Sequence, residues 1–138
     1  MNLNRMLLKR QSEGHSIRVG LIGAGKFGTM FLAQALKTSG IHIVGIADLE
    51  PEKAGGNCLR TGWSKEQISA DSYVKALKEG STCISDDSQK LIQTDGMEVI
   101  IEATGNPAAG ISHCLTSIEN GLHIVMVNVE ADAVAGPL

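Results

Sequence analysis

Short β-branched runs alternate along this chain with stretches whose apolar residues recur at helical spacing. Ile17 to Ile22 (IRVGLI) reads as a first strand with a glycine turn behind it. From Lys26 to about Ser39 the pattern turns helical, with Phe27, Met30, Phe31 and Ala35 placed on one core-facing side. Gly40 falls where a helix C-cap belongs. Ile41 to Ala47 (IHIVGIA) reads as a second buried strand that ends at Asp48.

The pattern is broken between Pro51 and Gly80 by Gly55, Gly56 and Gly62. Within it, Ser64-Lys65-Glu66-Gln67 has the form of a capping box and predicts a helix running on to about Glu79. Thr82 to Ser85 is expected to be a short third strand, and Asp87 to cap a brief helix from Ser88 to Gln93. Met97 to Ala103 (MEVIIEA) reads as the fourth strand. Asn106 and Pro107 then open a helix whose predicted apolar face is Ile111, Cys114, Leu115 and Ile118. Gly121 ends it, His123 to Val127 (HIVMV) is the fifth strand, and the residues from Asn128 to Leu138 read as a loop. Strands separated by helices predict a parallel sheet with right-handed crossovers. The expected fold is α/β: a single doubly wound Rossmann domain, strand order 3-2-1-4-5. It covers residues 17–138, with residues 1–16 as an N-terminal arm or short helix.

Length bounds this picture. At 138 residues the chain fits one domain, since domains run to about 100–150 residues. Aromatics make up only 3%, so the core must be built from aliphatic side chains. A net charge of −3 with interspersed signs lacks the basic stripe of a nucleic-acid binder. No apolar run approaches the ~18–20 residues of a membrane span, and the N-terminus lacks the apolar region of a secretory signal. Cys58, Cys83 and Cys114 have no C-x-x-C spacing and are odd in number, which predicts inert thiols in a reducing cytoplasm. His15, His42, His113 and His123 are scattered over arm, strands and helix, so packing roles are expected and no metal. No H-E-x-x-H, G-x-S-x-G or P-loop pattern is present.

The chemistry lies in Gly23-Ala24-Gly25-Lys26-Phe27-Gly28. This G-x-G-x-x-G follows a predicted strand and opens a predicted helix, as the dinucleotide fingerprint requires. Gly23 would make the tight turn, Gly25 would let the backbone approach a pyrophosphate, and Gly28 would let helix and strand pack closely. Asp48 follows about 20 residues beyond the last glycine, at the position where an acid accepts from the adenosine ribose. It would repel a 2′-phosphate, which favours NAD, with NADP kept possible by the nearby Lys53. The same carboxylate could instead cap a helix starting at Pro51. Ala103-Thr104-Gly105-Asn106-Pro107 is expected to face the glycine turn across the switch point, with Thr104 offering a hydroxyl. An ordinary turn capped by Asn106 is compatible with that role. Asn128, Glu130 and Asp132 follow the fifth strand toward the expected nicotinamide end. Glu130 or Asp132 could be catalytic or simply solvated.

RVGLIGAGKFG, VGIADLEPEKA, EVIIEATGNPAAG and HIVMVNVEADAVAGPL together resemble the N-terminal domain of homoserine-dehydrogenase-like oxidoreductases. The nearest resemblance is to bacterial predicted homoserine dehydrogenases that carry a C-terminal SAF domain. It extends from Ile17 to Leu138 and rests most specifically on EATGNP and VNVEAD. The resemblance implies cofactor contacts at Gly23, Gly25, Lys26, Phe27, Gly28, Asp48, Thr104 and Gly105. Ala24, Ala103 and Asn128 complete the candidate site. It also implies sugar-acid or sugar-phosphate substrates, with the substrate-binding and catalytic groups in a second domain expected beyond Leu138. Many homoserine dehydrogenases have a lysine after the asparagine that follows strand five, and here Asn128 is followed by Val129. The reading is therefore the NAD(P)-binding half of a hydride-transferring dehydrogenase acting on a small hydroxy acid or sugar derivative, a homo-oligomer through an open sheet edge. The alternatives are a non-catalytic NAD(H)-sensing module, and a flavin-binding or methyltransferase-like domain.

Overall fold

The computed structural model describes residues 1–138. The elements run α1 (Leu3–Ser12), β1 (Ile17–Ile22), α2 (Lys26–Ala35), β2 (Ile41–Ala47), α3 (Pro51–Arg60), α4 (Tyr73–Glu79), β3 (Cys83–Ser85), α5 (Ser88–Gln93), β4 (Val99–Glu102), α6 (Pro107–Glu119), β5 (His123–Met126) and α7 (Val129–Ala135). The five strands form one parallel sheet in the order β3-β2-β1-β4-β5. This is the doubly wound topology expected from the alternation.

The sheet is buried on both faces, as parallel sheets are. Leu21, Ile46 and Ile101 meet Leu32 and Ala35 of α2 and Ala54 and Cys58 of α3 on one side. Ile22, Val44 and Ile100 meet Tyr73, Leu91 and Ile92 on the other. Gly45 is small for a reason: a Cβ there would stand 2.5 Å from both Leu91 Cδ1 and Tyr73 Cε1.

Several expectations are corrected. Helix α2 buries Gly28, Leu32 and Ala35, whereas Phe27 and Met30 are exposed. Gly28 seats directly on the Gly23 carbonyl, so the face containing it must be the one against the sheet. Gly40 is not the C-cap, because α2 ends four residues earlier at Leu36. Its φ of +80° and lack of a Cβ instead admit the Leu7 backbone of α1, and its N–H donates to Gln11 Oε1 at 3.0 Å. Gly55 and Gly56 do not break the chain; they lie inside α3. The Ser64–Gln67 box forms with both reciprocal bonds, at 2.8 and 3.2 Å. It closes only a turn, and the helix itself begins at Tyr73 under a separate cap from Ser72. Residues 128–138 are not simply a loop, since Asn128 caps α7.

Helix α6 is turned away from its predicted face. It buries Gly110, His113 and Ser117, while Leu115 and Ile118 are 57% and 61% exposed. Two polar requirements decide this rotation: His113 reaches a buried carboxylate on β4, and Gly110 gives way to the Asn128 side chain.

Candidate functional site

The C-terminal ends of β1 and β4 carry two loops in direct contact. Gly23, at φ +94°, turns the chain out of β1. A Cβ there would lie 2.7 Å from the Ala103 carbonyl oxygen and 2.9 Å from the Thr104 nitrogen. Gly25 is the N-cap of α2, and nothing lies within 4 Å of where its Cβ would be. Helices α1, α4, α5, α6 and α7 each begin with a side-chain cap, from Asn2, Ser72, Asp87, Asn106 and Asn128. Helix α2 has none. The N–H groups of Gly25, Lys26, Phe27 and Gly28 find no partner in the protein. With the positive end of the helix dipole behind them, they suit an anion such as a phosphate.

Asp48 stands next to this turn. Its Oδ2 accepts from the Ala24 N–H at 2.8 Å, and its Oδ1 accepts from the Glu50 N–H at 2.8 Å. It does not cap α3, whose N-cap is Glu50. Ala24 is buried, and its carbonyl accepts from Asn57 Nδ2 and Thr29 Oγ1, each at 3.1 Å. Ala24 is therefore scaffold, clamped from both sides. Asn57 was missed because it lies in the stretch that the glycines obscured.

The second loop is held from beneath. The Thr104 hydroxyl donates to Glu102 Oε1 at 2.6 Å. It accepts from the Asn106 N–H and from Asn128 Nδ2, each at 3.2 Å. It is thus directed into the protein rather than offered to a ligand. Asn128 is buried, donates also to the Asn106 carbonyl at 2.8 Å, and accepts from the Ala131 N–H at 3.0 Å. Every bond its amide makes is structural. The backbone N–H groups of Thr104 and Gly105, by contrast, have no partner.

Glu102 has no surface exposure at all. Its Oε1 also meets His113 Nδ1 at 3.1 Å, and His113 Nε2 meets Ser88 Oγ at 3.0 Å. Burial, the largest influence, pushes the Glu102 carboxyl up, but hydrogen bonds from His113 and Thr104 outweigh it and hold the group below its ordinary 4.5. The signal for this residue was present in the sequence, as a lone charge ending the apolar run Val99-Ile100-Ile101. A folded pKa below the unfolded one stabilises the fold above pH 4.5, and that contribution disappears as pH falls through the folded value. Denaturant melts between pH 7 and about pH 3 should therefore show a shallower acid loss in Glu102→Gln than in the parent. Equal slopes would mean that folding leaves the Glu102 carboxyl unshifted, and a steeper loss in Glu102→Gln would mean that burial keeps it protonated in the fold.

The side chains of the remaining candidates bond to neither loop. Lys26 and Phe27 are exposed at the start of α2. Glu130 and Asp132 occupy the first turn of α7, exposed, without a bond to either loop. No group of His, Cys, Asp or Glu has the geometry to hold a metal ion. Burial raises the Cys58 thiol to about 11, in keeping with an inert thiol. A cleft of about 960 Å³ lies at the N-terminal ends of β1 and β2, among Arg10, His15, Arg18 and His42, and includes no residue of the glycine turn. No helix is long and apolar enough to cross a membrane.

No protein-family model matches this chain, and no curated protein sequence does. Solved structures do resemble it. Myo-inositol dehydrogenase from Lactobacillus casei, solved with NAD(H) and myo-inositol, aligns with a TM-score of 0.59 and 15% identity, over 80% of this chain and 27% of its own. Levoglucosan dehydrogenase, solved with NADH and L-sorbose, gives 0.56 and 21%, over 80% and 26%. An NAD-binding protein from Listeria innocua gives 0.54 and 16%, over 80% and 27%. At these identities the likeness is one of fold, and the chain spans about a quarter of the length of those proteins.

Proposed function

We propose that this chain is the NAD-binding domain of an oxidoreductase that passes a hydride between nicotinamide and a hydroxyl-bearing carbon of a sugar, polyol or small hydroxy acid. The carrying observation is the uncapped start of α2, four unpaired N–H groups above three glycines with Asp48 alongside. Gly25 gives a pyrophosphate room to approach, and the α2 N–H groups donate to it. Bound nicotinamide would supply the hydride chemistry; the residues of this chain hold and orient it. The neighbours solved with NAD(H) and a polyol or sugar support this cofactor and substrate class. The finer resemblance to homoserine-dehydrogenase-like enzymes rests on EATGNP and VNVEAD, with Val129 in the lysine position speaking against homoserine itself.

A non-catalytic NAD(H)-sensing module is the second reading, favoured by the distance of Glu130 and Asp132 from any contact with the turn. NADH-linked turnover with polyol, sugar-acid and homoserine substrates separates the two.

Asp48 sets the cofactor preference. Its carboxylate oxygens each keep a lone pair for a ribose hydroxyl, and its charge repels a 2′-phosphate. Calorimetric titration should give NADH a Kd at least about tenfold below that of NADPH. Equal or tighter NADPH binding would remove Asp48 from the site.

The same reading includes self-association. Strand β5 pairs only with β4, Val125 on it is 49% exposed, and Leu115 and Ile118 of α6 are also uncovered. Open edges and apolar patches recruit partners. Light scattering should report a dimer mass, and a clean monomer at high concentration would count against it.

A further inference from the structure

A carboxylate with no solvent exposure is costly unless its charge is answered by hydrogen bonds. Glu102 concentrates that answer on one oxygen: Oε1 takes Thr104 and His113, while Oε2 has no partner in the protein. An ionised acceptor at Oε1 requires the His113 proton on Nδ1, and with the ring neutral Ser88 donates to Nε2. The chain Ser88–His113–Glu102 thus has a single direction. Thr104 reaches the same oxygen from the other side, and its hydroxyl must donate to Glu102 because its acceptor side is filled by Asn106 and Asn128. A threonine side chain bonded to the N–H two residues on closes a tight local turn. With Gly105 at φ +70°, that turn leaves the Thr104 and Gly105 N–H groups unbonded next to Gly23.

We propose that Glu102 is the positioning residue of the dinucleotide site, turning the Thr104 hydroxyl inward so that the Thr104 and Gly105 N–H groups are held as donors for acceptor oxygens of the bound dinucleotide. The proposal rests on the reading of the glycine turn as a dinucleotide site. His113 and Ser88 act behind Glu102 by fixing the imidazole tautomer and the carboxylate rotamer. Asn128 acts beside it by clamping Thr104 and the Asn106 carbonyl in one grip. None of these four side chains needs to touch the cofactor.

The test is NADH titration by fluorescence together with amide NMR shifts, on the parent chain and on Thr104→Ser, Thr104→Val, Glu102→Gln and Gly25→Val. Valine keeps the β-branch of threonine but sets a methyl where the hydroxyl stood, so Glu102 Oε1, the Asn106 N–H and Asn128 Nδ2 each lose a partner. The expected result is parent-like NADH affinity for Thr104→Ser, and roughly tenfold weaker binding for Thr104→Val and Glu102→Gln. In those two variants the NADH-induced shift of the Gly105 amide should also vanish. A merely structural role would lower the melting temperature without erasing that shift in the folded fraction. If Thr104→Val and Glu102→Gln bind NADH like the parent and keep the Gly105 shift, the positioning role is overturned while the dinucleotide reading stands. If the parent chain binds NADH no better than Gly25→Val, the dinucleotide reading falls and takes this proposal with it.

Discussion

Replacing Gly25 with valine should cost at least about a hundredfold in NADH affinity, near 2.7 kcal/mol, and almost nothing in stability. The two halves of that expectation come from different facts. Nothing lies within 4 Å of a Cβ at Gly25, and its φ of −74° is open to any residue. The Cβ of valine therefore meets no protein atom and strains no backbone. Its branched methyls would instead occupy the ledge above the free N–H groups, where a pyrophosphate has to approach. Urea melts should superimpose on those of the parent, while calorimetry with NADH should show little heat. Parent-like binding by Gly25→Val would refute the phosphate-loop reading outright.

The sheet was legible because each strand is a short β-branched run with turn residues at its ends, and a parallel sheet buried on both faces needs nothing subtler. The glycine turn was legible because its three glycines and its flanking strand and helix are all local. Side-chain orientation was much less so. Phe27 and Met30 look like core residues by period, but the close seat of Gly28 on Gly23 decides which face of α2 turns inward. Ile111, Leu115 and Ile118 form a regular apolar stripe, and a buried Glu102 elsewhere in the sequence rotates α6 away from it to gain His113. Thr104 and Asn128 were expected to face a cofactor, and their side chains bond to the protein instead. Only the three-dimensional bonds show that both point inward. These misses share one cause: a long-range polar contact outranked a local apolar pattern, because an unanswered buried charge costs more than an exposed leucine.

Gly28 should fail in the opposite way from Gly25. Its Cβ position falls against the Gly23 carbonyl, backbone against backbone, and no flexible side chain can swing aside. Leu21 Cδ2 would lie 3.5 Å from the same Cβ, so valine would also crowd the strand beneath. Relief requires α2 to lift from β1, which would loosen Leu32 and Ala35 from the core they share with Leu21 and Ile101. Gly28→Val should therefore destabilise the fold by about 3 kcal/mol, the upper end for overpacking. The corresponding fall in melting temperature is about 10 °C for a domain of this size. NADH binding should be lost as well, since the same lift displaces the N–H groups of Gly25, Lys26 and Phe27 from the phosphate position. Calorimetric melting and NADH titration on the Gly25 and Gly28 variants together would read the two effects separately. The first variant should be stable and non-binding, and the second unstable and non-binding. A Gly28→Val protein that melts with the parent would show that α2 does not sit on the glycine turn as described, and the close helix–strand packing argument would fail with it.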